Sequence, residues 1–343
     1  MTPTKVSPQV TVINNCMRYD PAALRSIILS ALPPGLVVSE HTAEAHFYRI
    51  GELDGSAITH GTTSPLYPSV TAKLQIIKDE GLSNFKMSRA LEYVSIHWSK
   101  FSDANYMEHL ALAERMPADI FEDAGDVGTR IHDIREKIFT NWIETGVRPA
   151  DFASFIPAHD PDIRVASAIA ALRKFCEERA FWPIVTELKV YSHKFGVAGT
   201  CDDIGLMREE VRRSDVEGCD HKIETGASTI IPHATKNFDY CIRCNAKWKW
   251  VLVMLDLKTS NRFKDSYFLQ VAMYFDMLRK LTGLKPEKCY ILKLSKEDRT
   301  YKLEDLKKPI SIARYIGPLL KLNDGLVFIK ELRKDNQRKV ITI

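Results

Sequence analysis

The six residues from Trp250 to Leu255 make the longest strongly apolar run in the chain, and they lead straight into Asp256-Leu257-Lys258. A run this short cannot cross a bilayer, which takes about 20 apolar residues, and it reads instead as the central strand of a sheet. An acid and a lysine two positions apart on a strand point to the same side. There a carboxylate can hold a divalent cation while the ammonium positions or deprotonates a water. The tripeptide alone is weak evidence, since Glu187-Leu188-Lys189, Asp220-His221-Lys222 and Asp305-Leu306-Lys307 repeat its pattern.

The flanking residues outline the fold. Ser69, just ahead of Val70, predicts a capped helix start, and helical segments continue to about residue 117. Gly128 is expected to open a further helix, in which Ile131, Ile134, Ile138, Phe139 and Trp142 form a 3.6-residue stripe and His132 and Glu136 lie one turn apart on a neighbouring face. Another helix is expected over about 161 to 180. Ile184 to Tyr191, Phe195 to Leu206 and Lys249 to Leu257 have the composition of strands; a helix over about 265 to 281 and a strand from Cys289 to Leu294 follow. This order predicts an α/β fold, with helices around a mixed sheet. Residues 1–62, with a turn at Pro33-Pro34-Gly35 and a short strand from His46 to Gly51, are expected to form an N-terminal extension to a domain spanning 63–343.

Composition narrows the class. Over 343 residues, 45% hydrophobic and 27% charged content excludes a disordered, collagen-like or coiled-coil chain. The polar start MTPTKVSPQ lacks the apolar stretch of a signal peptide, so a soluble intracellular protein is expected. The net charge of +4 is unevenly spread: from Asp276 onward 17 Lys and Arg face 9 Asp and Glu, giving +8 there and −4 elsewhere. A nucleic acid could lie along such a basic surface. Of the seven cysteines, four stand alone at 16, 176, 201 and 289, and the other three cluster, which suggests a metal rather than a disulfide framework.

Taken in order, Gly128-x-x-x-His132, Glu187, Gly199-x-x-Asp202, Asp256-x-Lys258-Thr259-Ser260 and Gln270-x-x-x-Tyr274 resemble the motif series of the PD-(D/E)XK nuclease superfamily, in its RecB-like, phage-exonuclease-type branch. The resemblance runs from Tyr67-Pro68-Ser69-Val70-Thr71, similar to a segment common in phage members, to about Leu294. It implies a restriction-endonuclease-like core and a metal-dependent deoxyribonuclease. The implied enzyme is an exonuclease acting on DNA ends or single strands in replication, recombination or DNA degradation, with replication or recombination proteins as further partners. Its implied location is the cytoplasm, that of a bacterial host if the chain is phage-encoded. A structure-specific endonuclease and a non-catalytic DNA-binding assembly module on the same scaffold are the alternatives, and the intact acid, lysine and histidine set argues against the module.

Carried over by residue, the resemblance implies that His132, Asp202 and Asp256, with the backbone carbonyl of Leu257, hold one or two Mg²⁺ or Mn²⁺ ions, and that Lys258 is the catalytic lysine. Glu187 matches an acidic position that assists metal binding, and Gln270 and Tyr274 match a helix motif that flanks the site and contacts DNA. Asp202 and Asp203 compete for one role, and the spacing from Gly199 favours Asp202.

In compact relatives the last two acidic strands form a tight hairpin, whereas here Asp202 and Asp256 stand 54 positions apart. The excess, 208–249, holds Cys219-Asp220-His221 and Cys241-Ile242-Arg243-Cys244. The paired thiolates can clamp one face of a tetrahedral zinc ion and Cys219 with His221 the other, with His233 as a rival fourth ligand. One structural zinc ion would stabilise an insert too polar to fold alone.

Overall fold

Apolar residues that fill two cores at once must sit in the middle of a layered structure, and Trp250 to Leu255 do. The computed structural model describes residues 21–32, 36–41, 46–50, 66–74, 80–212, 230–232, 239–241, 246–260 and 262–321. In chain order its elements are α1 (Pro21–Ala31), β1 (Leu36–His41), β2 (His46–Ile50), β3 (Leu66–Pro68), α2 (Val70–Leu74), α3 (Glu80–His97), α4 (Tyr106–Thr145) and α5 (Ile163–Glu178). Then follow β4 (Trp182–Ser192), β5 (Val197–Arg212), β6 (Ile230–Pro232), β7 (Asp239–Cys241), β8 (Lys247–Lys258), α6 (Asp265–Thr282), β9 (Lys288–Leu294) and β10 (Tyr301–Asp305). A last helical stretch, α7, covers 309–321.

Five strands form a mixed sheet in the order β10-β9-β8-β5-β4, with β8 and β9 parallel and the other neighbours antiparallel. A parallel pair needs a long crossover, and α6 supplies it. One face carries α1, α2, α6 and α7, whose Ile28, Val70, Val271 and Ile316 are buried together. The other carries α4 and α5, through Ile131, Ile138, Trp142 and Phe175. Strand β8 feeds both cores: Leu252 and Met254 enter the first, Val251, Val253, Leu255 and Leu257 the second. That double burial explains a continuous apolar run where a half-exposed strand would alternate. Among the described residues, no helix is long and apolar enough to cross a membrane.

Ser69 caps α2 as expected, accepting a hydrogen bond from the Ala72 amide at 3.0 Å. Of residues 1–62, the described parts pack on the domain, with Ile28 fully buried in the first core and Tyr48 hydrogen-bonded to Thr200 of β5 at 3.1 Å. Two expectations need correction. Gly128 does not open a helix: it lies inside α4, whose 40 residues run unbroken through Pro117. The segment between the acidic strands is shorter than 208–249, since β5 and β8 stay paired out to Arg212 and Lys247. Of the expected zinc ligands, Cys219, His221 and Cys244, with the rival His233, lie outside the described residues, as does the Cys241 side chain.

Candidate metal centre

Strand register sets the centre. The pairs Thr186↔Asp203 and Leu188↔Cys201 put Glu187 of β4 level with Asp202 of β5. One step beyond Asp203↔Leu255, Asp202 comes level with Asp256 of β8. Three carboxylates from three adjacent strands thus share one row. Helix α4 brings His132 to it from the second face.

Both β4 and β5 break their alternation at this row. On β4 Leu188 enters the first core while Thr186 bonds Arg135 of α4, and on β5 Cys201 enters the first core while Asp203 bonds the same arginine. Residues two apart thus go to opposite faces, which a regular strand of period two cannot do. On β4 the cause is visible, since Glu187 has φ +51, the left-handed region that L residues rarely occupy. Such a conformation costs about 1 kcal/mol or more and persists where its surroundings hold it.

Arg135, one turn beyond His132 on α4, does the holding. Its side chain has no exposure, and its guanidinium donates to Asp203 Oδ1 at 2.6 Å, to the Asp202 carbonyl at 3.0 Å, to Thr186 Oγ1 at 3.2 Å and to Glu187 Oε1. Asp202 and Asp203 therefore do not compete. Asp203, buried, serves the arginine and accepts from Thr186 Oγ1 at 2.9 Å, while Asp202 serves the row.

His132, Glu187 and Asp202, all half-buried, each offer a ligand atom, and these atoms lie within 4.8 Å of one another. Asp256 stays outside that group. Lys258 Nζ approaches its Oδ2 to 2.6 Å, yet neither Asp256 carboxylate oxygen, both buried, receives a hydrogen bond of good geometry. The Leu257 amide donates to Asp202 Oδ2 at 2.6 Å, and the Leu257 backbone also hydrogen-bonds His132. Gly128 permits this approach of α4 to the end of β8, since a Cβ there would lie 3.0 Å from Thr259 Oγ1.

Protonation follows burial and crowding. Burial pushes the Glu187 carboxyl up to about 7, with Asp202 and Asp203 adding to the rise. It pushes Asp256 up to about 7 and Asp203 up to about 6, with Asp202 contributing to both. Burial drives His132 down to about 4, leaving the neutral imidazole that metals bind. For Asp202 burial would act upward, but His132, Arg135 and Lys258 outweigh it and hold the carboxyl below its usual range. Burial would lower the Lys258 ammonium, but Asp256 and Asp202 keep it above its ordinary value, hence charged. A charged ammonium can orient a water or a phosphate oxygen; it cannot take a proton.

Two cavities flank the row. One, of about 430 Å³, reaches Glu187 and is lined by Arg25, Leu29, Glu136 and Lys189. The other, of about 330 Å³, reaches His132 and Lys258 and is lined by Thr129, Thr259, Ser260 and Tyr267. Gln270 donates to Tyr274 Oη at 3.0 Å and to Thr71 Oγ1 at 3.4 Å. Tyr274 itself is only 3% exposed, its ring lying where a Cβ on Gly199 would approach to 2.6 Å. A buried ring has no surface for DNA, so its part is to fix Gln270, which is half-buried.

Arg135 is the functional residue that sequence reasoning passed over. Its signal was present: an arginine beside Ile134 on the apolar side of a helix is either misplaced or paired with buried acids. No protein-family model matches the chain, and no curated protein sequence matches it.

Proposed function

We propose that the chain is a divalent-metal-dependent deoxyribonuclease with a PD-(D/E)XK core, acting as an exonuclease on DNA ends or single strands. The observation that carries this reading is the convergence of His132, Glu187 and Asp202 within 4.8 Å beside the unsatisfied carboxylate of Asp256 and the charged Lys258. Oxygen-rich donors with one imidazole suit Mg²⁺ or Mn²⁺, and carboxylates that burial raises to about 7, despite Arg135 beside Glu187 and Lys258 beside Asp256, favour a further cation. His132, Glu187 and Asp202 would hold the ion, with Asp256 as a further carboxylate beside them. Such an ion supplies Lewis acidity at a phosphate and lowers the pKa of a bound water. The protein adds Lys258, a fixed charge for the developing negative charge on the phosphate, and Arg135, which keeps Glu187 in the row. Water attack at phosphorus needs no covalent intermediate, and no serine or cysteine nucleophile is required.

The test is digestion of end-labelled linear single-stranded and duplex DNA beside a covalently closed circle, with Mg²⁺ and then with EDTA. Cleavage of the linear substrates that EDTA abolishes supports the reading. Cutting of the circle moves the protein to the endonucleases. Tight binding without cutting of any substrate supports the assembly module instead. A structural zinc ion on Cys219, His221, Cys241 and Cys244 belongs to the same proposal, and elemental analysis of protein purified without added metal decides it. Zinc far below one equivalent would leave these cysteines as free thiols.

A further inference from the structure

A third cleft lies beyond the acidic row. The β4–β5 turn brings Lys194 and Phe195 to it, the last turns of α6 bring Arg279 and Lys280, and α7 brings Arg314 and Lys321, around a volume of about 720 Å³. Five cations thus face one carboxylate, Asp276. That acid is already engaged, by Arg279 at 3.0 Å and by Lys280. Lys194, Arg314 and Lys321 are exposed and have no carboxylate partner among the described residues. An aromatic ring is interleaved with them: Phe195 lies under Lys194 and Lys280 at 5.6 and 5.2 Å. The five cations come from three places, the turn, α7 and the end of α6, rather than from one helix face, so the positive charge is focused into a concavity.

Cations around an aromatic ring in a groove are the chemistry that tracks a single nucleic-acid strand, phosphates on the charges and a base on the ring. A bilayer is flat and would not reach the floor of such a cleft. The position fits as well. Helix α6 carries Gln270, bonded to the Tyr274 hydroxyl that faces Asp256 and Asp202, and Arg279 nine residues later, about 14 Å along the axis, or roughly four stacked nucleotides. We propose that this cleft holds the phosphate backbone of a single-stranded nucleic acid whose scissile end lies at the acidic row. The second half of that statement rests on the nuclease reading, whereas binding to the cleft does not.

Fluorescence anisotropy of a labelled single-stranded DNA oligonucleotide with the full chain in EDTA tests it. Combining Lys194→Gln, Arg314→Gln and Lys321→Gln should weaken binding about 10-fold or more at low salt and shrink the salt slope by about 2. Unchanged affinity and slope would overturn the proposal, as would tight binding to phosphatidylserine vesicles with none to the oligonucleotide. If the triple variant fails to fold, Arg314→Gln and Lys321→Gln tested singly should each lower the slope by about 0.7. The two readings fail separately. Wild-type protein that binds through the cleft but cuts nothing with Mg²⁺ removes the nuclease and keeps the cleft; wild-type protein that cuts, with the triple variant binding equally well, does the reverse.

Discussion

Arg130 and Arg135 stand five residues apart on one helix and each gathers several carboxylates, yet they do different things. Arg130 is 32% exposed and bonds Asp160 at 2.6 Å, Asp162 at 2.8 Å and Asp126 at 3.0 Å. Arg135 has no exposure and bonds Asp203 and Glu187. Water reaches the side chain of the first and not that of the second. Exposed pairs contribute about 0–1 kcal/mol, while removing one member of a buried pair costs about 3–5 kcal/mol because the other is left charged and dry. Counting ion pairs would rank the two arginines alike; burial separates them.

The largest expected effect is therefore at Arg135. Arg135→Ala should lose about 3–5 kcal/mol in urea unfolding. Arg135→Lys should recover part of this, since an ammonium keeps the charge but not the fork that reaches Asp203 and Glu187 together. A loss below about 1 kcal/mol for the alanine variant would erase the contrast with Arg130. Next in size are Lys258→Ala and His132→Ala, each expected to cut DNA cleavage about 100-fold or more while far-UV circular dichroism stays native. Lys307→Ala, at an exposed copy of the same acid-x-lysine pattern, serves as the control.

Gly199→Ala should destabilise by about 1–3 kcal/mol, because the new methyl group meets the Tyr274 ring in a packed core. Differential scanning calorimetry would measure it, and an unchanged melting temperature would show that the ring has room to move. A smaller effect depends on pH. Glu187 and Asp256 keep protons up to about 7 in the metal-free fold, against ordinary carboxyl values when unfolded, so metal-free stability falls as pH rises through that interval. His132 has the opposite sign, but it is already neutral above its unfolded value of about 6.5. A cation must displace the carboxyl protons, so Mn²⁺ should raise the melting temperature more at about pH 8 than at about pH 6. Equal shifts would place Mn²⁺ away from this row. Smallest of all, Arg130→Ala should change unfolding by less than about 1 kcal/mol.

The parts of this molecule that were legible in its sequence are those whose chemistry repeats along the chain. The stripe from Ile131 to Trp142 marked a helix, and the run ending at Leu255 marked the central strand, because burial imposes a period or abolishes one. Asp202, Asp256, Lys258 and His132 were legible as motif residues. The role of Glu187 was legible only in outline, since its placement depends on a backbone angle that no residue type announces. The division of labour between Asp202 and Asp203 required knowing where Arg135 points, a contact across 68 positions. Likewise α1 carries no motif, and only packing shows that Ile28 belongs to the first core.

The ladder joining β5 to β8 has two ends with different consequences. The acidic row sits past Asp203↔Leu255, and nine positions along β5, about 30 Å away, the pairing closes at Arg212↔Lys247. The segment that follows Arg212 thus leaves and re-enters where the two strands are already side by side. Loop-closure entropy grows only logarithmically, each doubling of length costing about 0.6 kcal/mol, so connections of very different length can be closed at that end for nearly the same entropy. That end of the hairpin is accordingly a tolerant port for insertion or excision, at which the chain can acquire or shed a module while the row at the far end keeps its register.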